Sequence, residues 1–365
     1  MTRLIENCRE SIFTHNSHPS FNYLKSSRFI SSQSVLGKTL LTLLPALSWG
    51  CSAEESMSSA TSADERIALK ITRGYSDSQM NSLDIFVFKD EAIKSLDCYQ
   101  RVERPENWEG DVSSSSGDRI INICANSQLE RDEWPWIRSQ DALKKITVSL
   151  ELESRMSPFM SGEVKVSATK GKPHHTDIIM RPAASEIHLR SLCCDFTGKP
   201  YSGEKLTDIK VYLTNINAEC GMLSDGEILP TRLINVGRLC EEDLELFSDP
   251  GLVFREIAGT VGKSPVRPDI RLWCYPSNAA DESPGTPYSR LVIEGKISGS
   301  TYYWPININR EDDGGGISRN RRYTFDVRIT RKGSTDPDIP VDADNMEITF
   351  NSEPWEEKEE YQVRF

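Results

Sequence analysis

The sequence predicts an all-β protein built as two tandem β-sandwich domains. From Ile67 onward apolar residues recur with period two, the pattern of strands with one buried and one wet face. Clusters of Ser, Gly, Asp and Pro at residues 113–117, 281–287 and 312–316 punctuate these runs as turns. A length of 365 residues is more than one hydrophobic core usually supports, so two sandwich-sized halves are expected.

Residues 1–50 are expected to be a signal peptide. The apolar run from Thr39 to Leu47 follows Lys38 and is too short to cross a hydrocarbon core of about 30 Å as a helix. Directly behind it stands Ser48-Trp49-Gly50-Cys51, which resembles the lipobox of bacterial lipoproteins and implies lipidation of Cys51. Two or more acyl chains on that cysteine would anchor stably where one does not. The following Ser52-Ala53-Glu54-Glu55 is similar to the acidic export tag of Bacteroidota lipoproteins sent to the cell surface. Residues 51–65 are otherwise Ser, Ala, Thr and acidic residues with little apolar surface to bury, which predicts a flexible tether.

The first sandwich is expected over residues 66–183. Its strands are read at Ile67, Leu69 and Ile71; Leu83, Ile85 and Val87; Ile121, Ile123 and Ala125; a run from Ile146 to Leu152; and Val164, Val166 and Ala168. Arg181-Pro182-Ala183-Ala184 reads as a joint. The second sandwich, 184–365, offers Ile187 to Leu189, Ile209 to Leu213, Ile270 to Cys274, Leu291 to Ile293, Tyr302 to Ile308, Tyr323 to Ile329 and Met346 to Phe350. Short helices fit only near residues 139–145 and 239–246.

Several functions find no support. The net charge is -12, and residues 1–50 carry five basic side chains against two acidic ones, so the remainder is more acidic still and repels nucleic acid. Cys98, Cys124 and Cys274 read as small core residues of strands; no C-x-x-C occurs and no His lies at metal-ligand spacing, so zinc is not expected. Gly262-Lys263-Ser264 lacks the earlier glycine of a phosphate-binding loop, since Ile257 stands there. Asp336, Asp338, Asp342 and Asp344 resemble a calcium loop, but Glu347 occupies the position that needs Gly. His174-His175 reads as a loop pair, and no G-x-S-x-G nucleophile motif is found. Neither an enzyme nor a cofactor is expected.

The last part of the chain is the most distinctive. Leu291-Val292-Ile293-Glu294-Gly295-Lys296 leads to Thr301-Tyr302-Tyr303-Trp304-Pro305-Ile306, then to a strand beginning Arg319-Asn320-Arg321-Arg322-Tyr323, a turn around Gly333 to Pro337 and a final Pro354-Trp355. This order resembles the C-terminal half of the major fimbrial subunit (fimbrillin) family of Bacteroidota. Looser likeness in Ser82 to Lys89 and Ile121 to Asn126 extends it over about residues 67 to 355, with residues 219–266 unmatched.

The resemblance implies two transthyretin-like, Greek-key sandwiches and a lipoprotein precursor carried to the outer membrane and cell surface. Its partners would be other fimbrial subunits, the membrane through Cys51, and a host or bacterial surface receptor. In polymerising members an arginine-specific protease cuts behind the first strand, and a neighbour's terminal strand fills the groove left behind. Here the match falls on Arg73-Gly74, just behind Ile67, Leu69 and Ile71. Burial of those three side chains would contribute roughly 5 to 9 kcal/mol before ordering costs. Tyr361, Val363 and Phe365 alternate with polar residues and are the expected donor strand, with Met346, Ile348 and Phe350 as the second candidate. The alternative is a monomeric surface glycan-binding lipoprotein using exposed Tyr302, Tyr303 and Trp304. Burial of those rings discriminates the two.

Overall fold

A computed structural model describes residues 65–73, 78–105, 108–129, 137–172, 174–223, 228–310, 315–341 and 345–355. The expected signal peptide, Cys51 and nearly all of the tether, Gly74, Asp342, Asp344 and the tail with Tyr361, Val363 and Phe365 lie outside these residues.

The chain runs through β1 (Glu65–Arg73), β2 (Ser82–Lys89), β3 (Leu96–Glu103), β4 (Glu109–Ser114) and β5 (Gly117–Ala125). Helix α1 (Gln140–Lys144), capped by the Ser139 hydroxyl, precedes β6 (Thr147–Ser149), β7 (Met160–Ala168) and β8 (His174–Pro182). Next come β9 (Ser185–Cys194), β10 (Thr207–Thr214), β11 (Ile216–Asn217), β12 (Glu219–Gly221), β13 (Leu233–Ile234) and the short α2 (Glu241–Leu244). The chain continues with β14 (Phe254–Ile257), β15 (Ile270–Cys274), β16 (Arg290–Ile297), β17 (Ser300–Asn307), β18 (Arg321–Ile329) and β19 (Met346–Pro354).

Seven strands follow the order β3-β2-β5-β7-β8-β1-β4, but only Met160↔Pro182 and Ser161↔Arg181 join β7 to β8. The sheet therefore folds at that corner into two leaves, β3-β2-β5-β7 and β8-β1-β4. Between them Ile67, Leu69, Val112, Ile178 and Met180 meet Leu83, Ile85, Val87, Ile121 and Ile123 in one buried cluster. Gly162 lets the leaves approach at the corner, since a Cβ there would lie 2.9 Å from the Ile179 carbonyl oxygen.

The second half packs β14-β10-β16-β17 against β15-β9-β18-β19. Leu189, Val211, Leu213, Leu272, Leu291, Ile293, Trp304 and Phe325 fill the space between. In the second of these sheets β9 and β18 are parallel, while the other pairs are antiparallel.

The same core continues into the first half. Phe86 and Phe88 on the outer face of β2 belong to it, which explains why β2 reads as an almost unbroken apolar run. The backbone crosses the junction as well: β6 pairs with β12, and the Ser161 hydroxyl donates to the Met222 carbonyl at 2.8 Å. All described residues lie in one compact unit.

The expected strands are present, with two differences. The run from Ile146 to Leu152 is a strand only over Thr147–Ser149; Leu150–Leu152 forms a 3₁₀ turn whose Leu150 N–H bonds the Ala218 carbonyl, and Leu152 is exposed. His174 and His175 are the first residues of strand β8 and not a loop pair. Parallel pairing with β1, Ile67↔His174 and Ala68↔His175, holds this polar stretch extended without an apolar alternation of its own.

At the junction Glu153 is fully buried. Its carboxylate accepts from the Tyr275 hydroxyl at 2.7 Å and the Phe159 N–H at 3.0 Å. Burial outweighs these bonds and raises its pKa to about 7. A carboxyl raised from 4.5 gives stability fully present below the unfolded value and lost as pH rises through the folded one, a difference of about 3 kcal/mol. Glu153→Gln should therefore flatten the fall in stability between roughly pH 4.5 and 7 in denaturant titrations; an unchanged slope would remove Glu153 as its source. The loop after β18 crosses close to β17, and a Cβ on Gly333 would meet the Tyr303 carbonyl oxygen at 2.1 Å. Gly333→Ala should cost about 1–3 kcal/mol by thermal unfolding.

Candidate functional site

β1 is the middle strand of its leaf. On one side it runs parallel to β8, from Ile67↔His174 to Arg73↔Met180, and on the other antiparallel to β4, from Glu65↔Ser114 to Lys70↔Glu109. Both backbone edges are engaged. Ile67 and Leu69 are 0% exposed and Ile71 is 3% exposed, so the inward face of β1 lies wholly in the sandwich core.

The neighbours of β1 are held by contacts that do not involve it. Arg119, itself buried, reaches Asp97 Oδ2 at 3.2 Å and Ser114 Oγ at 3.1 Å, while the Ser115 N–H donates to Asp97 at 2.8 Å. Burial would raise the Asp97 carboxyl, yet these hydrogen bonds and the Arg119 charge bring it below the ordinary range. This network ties β4 to β3 across the mouth of the sandwich. At the opposite side the corner pairing ties β8 to β7. Near the far end of β1, Ile71 N–H donates to the Trp108 carbonyl at 3.0 Å, and the Trp108 ring lies over Gly110 where any Cβ would collide at 2.6 Å.

Arg73 is the last residue of β1, half-buried, with its guanidinium donating to the Ser78 carbonyl. The expected processing position thus sits at the strand's end.

β19 is different in character. It pairs only with β18, over Arg321↔Pro354 to Ile329↔Met346, and its other edge has no strand neighbour among the described residues. None of its residues is fully buried. Met346 and Ile348 are half-buried and Phe350 is 37% exposed, stacked near Tyr323 and Phe325. Ile306, Phe325, Ile348 and Phe350 line a narrow cleft there. Trp355, directly behind this strand, is buried at 1%.

The three aromatics of β17 do not make an exposed platform. Trp304 is 0% exposed, and its indole N–H donates to the Arg331 carbonyl at 3.1 Å. Tyr302 packs on the core beneath Lys332, and Tyr303 is half-buried on the opposite face of the strand. Cys124 and Cys274 are buried and Cys98 is half-buried. No cluster of His, Cys, Asp or Glu among the described residues could hold a metal ion.

Sequence reasoning placed β1 and Arg73 but missed β3, β4 and β8. The alternation Ile178, Met180 and Pro182 was the available signal for β8. β4 has a single buried apolar residue, Val112, and announces itself only through pairing.

No protein-family model matches the chain, and no curated protein matches its sequence. Solved structures do match. A candidate cell adhesion protein from Bacteroides eggerthii DSM 20697 superposes with a TM-score of 0.62 at 15% identity, over 80% of this chain and 96% of that one. A fimbrilin from Porphyromonas gingivalis W83 gives 0.58 at 16% identity, covering 80% and 97%. The tip fimbrial protein of Porphyromonas gingivalis, truncated at its C-terminus, gives 0.54 at 13% identity, covering 80% and 100%. At such identity the likeness speaks for the fold alone. The chain has the β-sandwich fold of the fimbrilins and cell adhesion proteins of the Bacteroidales, as the resemblance in its sequence implied.

Proposed function

We propose that this chain is a fimbrial subunit at the cell surface that assembles with other subunits by strand exchange. The observation that carries the reading is β1, the first described strand, which is the buried middle strand of its leaf and stops at an arginine. Cutting behind Arg73 and losing β1 would expose the β8 and β4 edges and an apolar slot lined by Val112, Ile178 and Met180. Unpaired strand edges over an apolar slot accept an added strand. The slot would persist because β4 and β8 are each tied elsewhere.

A donor needs apolar residues at every second position. Tyr361, Val363 and Phe365 have that pattern, and so do Met346, Ile348 and Phe350 on β19. β19 has little core to lose and one free edge, which makes it the better supported donor among the described residues. The full reading keeps the two sandwiches at 66–183 and 184–365, a signal peptide over 1–50, a lipid on Cys51 and the tether 51–65 for transit or anchoring at the outer membrane. Receptor binding and adhesion would be functions of the assembled fimbria.

The lipid-free precursor treated with an arginine-specific protease should be cut after Arg73 and form ladders of stable oligomers by size analysis. Arg73→Gln should abolish both, and oligomers that form without the cut would sink the reading. Leu69→Ala should destabilise the uncut chain by about 2–5 kcal/mol. Because residue 69 leaves with β1, the cut variant should assemble faster yet give the same polymer as wild type. A polymer altered by Leu69→Ala would mean that β1 stays in place.

A further inference from the structure

In the second sandwich β9 and β18 are parallel neighbours that end side by side at Cys194 and Ile329. Parallel strands send their following loops off the same end of a sheet, and here the two loops diverge around an open cavity of about 420 Å³. That volume is within the range of small-molecule sites. β19 begins at the same end, with Met346 opposite Ile329, and adds Met346 and Glu347 to the lining.

The polar groups around this cavity are fixed by contacts of their own. Asp195 accepts from the Thr197 hydroxyl at 2.6 Å and from the Thr197 N–H at 3.2 Å, while its own N–H donates to the Ile329 carbonyl at 2.8 Å. Phe196 is buried and meets Tyr201 edge to face at 5.2 Å, which anchors the loop that carries Lys199. Lys263 reaches Thr197 Oγ1 at 3.2 Å and Asp195 Oδ2 at 3.4 Å. Behind β18 the N–H groups of Thr330 and Arg331 donate to the Asn345 carbonyl at 2.9 and 3.3 Å, and Arg328 lies 3.6 Å from Glu347. A site held in this way loses little freedom when a ligand enters.

Its charges are uneven. Lys199, Arg328 and Arg331 line the cavity against Asp195 and Glu347. Each carboxylate already has a basic partner, whereas Lys199 is half-buried with no carboxylate partner among the described residues. In a chain of net charge -12 this positive surplus is a local exception, and it suits a ligand with one negative charge. A phosphate dianion would be repelled by the two carboxylates, and a ligand ammonium would compete with the basic groups already on them. Hydroxyl groups are different, because an ionised carboxylate offers about four lone-pair sites and can accept from them as well. Met346, half-buried, offers an apolar surface to the C–H face of a ring.

We infer that this cavity binds a carboxylate-bearing sugar unit, a uronate or a sialic acid, with its carboxylate on Lys199 and Arg331 and its hydroxyls on Asp195, Thr197 and Glu347. The open side lets that unit belong to a longer glycan. Because Met346 and Glu347 are part of β19, the complete site exists where that strand is docked, in the free chain and in any assembly that leaves it in place. The inference does not depend on strand exchange, and the site is separate from the aromatics of β17.

Calorimetric titration of the uncut, lipid-free chain with methyl glucuronide and with the methyl glycoside of N-acetylneuraminic acid tests this. At least one should bind at low salt, and the one that binds identifies the sugar type. The neutral methyl glucoside should bind at least about tenfold more weakly. Lys199→Gln and Arg331→Gln should each weaken binding about tenfold with thermal unfolding unchanged. Inorganic phosphate at equal concentration should not displace the sugar. Binding of neither acidic sugar, equal binding of the glucoside, displacement by phosphate, or undiminished binding in Lys199→Gln or Arg331→Gln overturns the site.

Discussion

The fold turns on one strand that is the middle of its leaf and the first of the described strands. β1 supplies three apolar side chains to the first sandwich and completes the hydrogen bonding of β8 and β4. A middle strand contributes twice, once through its core face and once by satisfying two rows of backbone donors and acceptors. Without it β8 and β4 have no partner on their inner edges. Each wall also has a hold outside β1: the Asp97 and Arg119 network on β4, and the corner at Met160 and Ser161 on β8.

The second constraint is the junction. Phe86, Phe88 and Phe159 carry the core of the second half into the first, and β6 reaches across to pair with β12. Glu153 places a carboxyl in this dry region, hydrogen-bonded to Tyr275 across the boundary. A buried, satisfied polar group of this kind fixes geometry more than it adds stability, because burial offsets much of what the hydrogen bonds contribute. The junction joins the two halves through one continuous core and one backbone pairing.

Alternation along the chain determined much of this by itself. Period two named most long strands, including β1, β2, β5, β10 and β18; in β1 buried and exposed residues alternate, while β2 and β5 are buried on both faces. The order of residues from Leu291 to Trp355 carried the family likeness, and the fold agrees with it. The position of Arg73 at the end of β1 was likewise legible. What the pattern could not reveal were strands held by partners and not by composition. β3 is half-buried except at exposed Glu103 and owes its place to pairing with β2 and to Tyr99 and Arg101 bonding Asp84. The two histidines of β8 are extended because β1 lies beside them.

The site divides in the same way. Local sequence decides which residues are apolar at alternate positions, and so identified β1 and both donor candidates. Only the tertiary structure decided that β1 lies between β8 and β4, that β19 pairs on one edge only among the described residues, and that Trp304 is core. Those outcomes depend on which segments become neighbours, and pairing between segments distant in sequence leaves no local trace. Arg155 is the clearest instance: nothing near it in the chain marks it out, and its partners at Gly251, Arg271 and Trp273 lie about a hundred residues away.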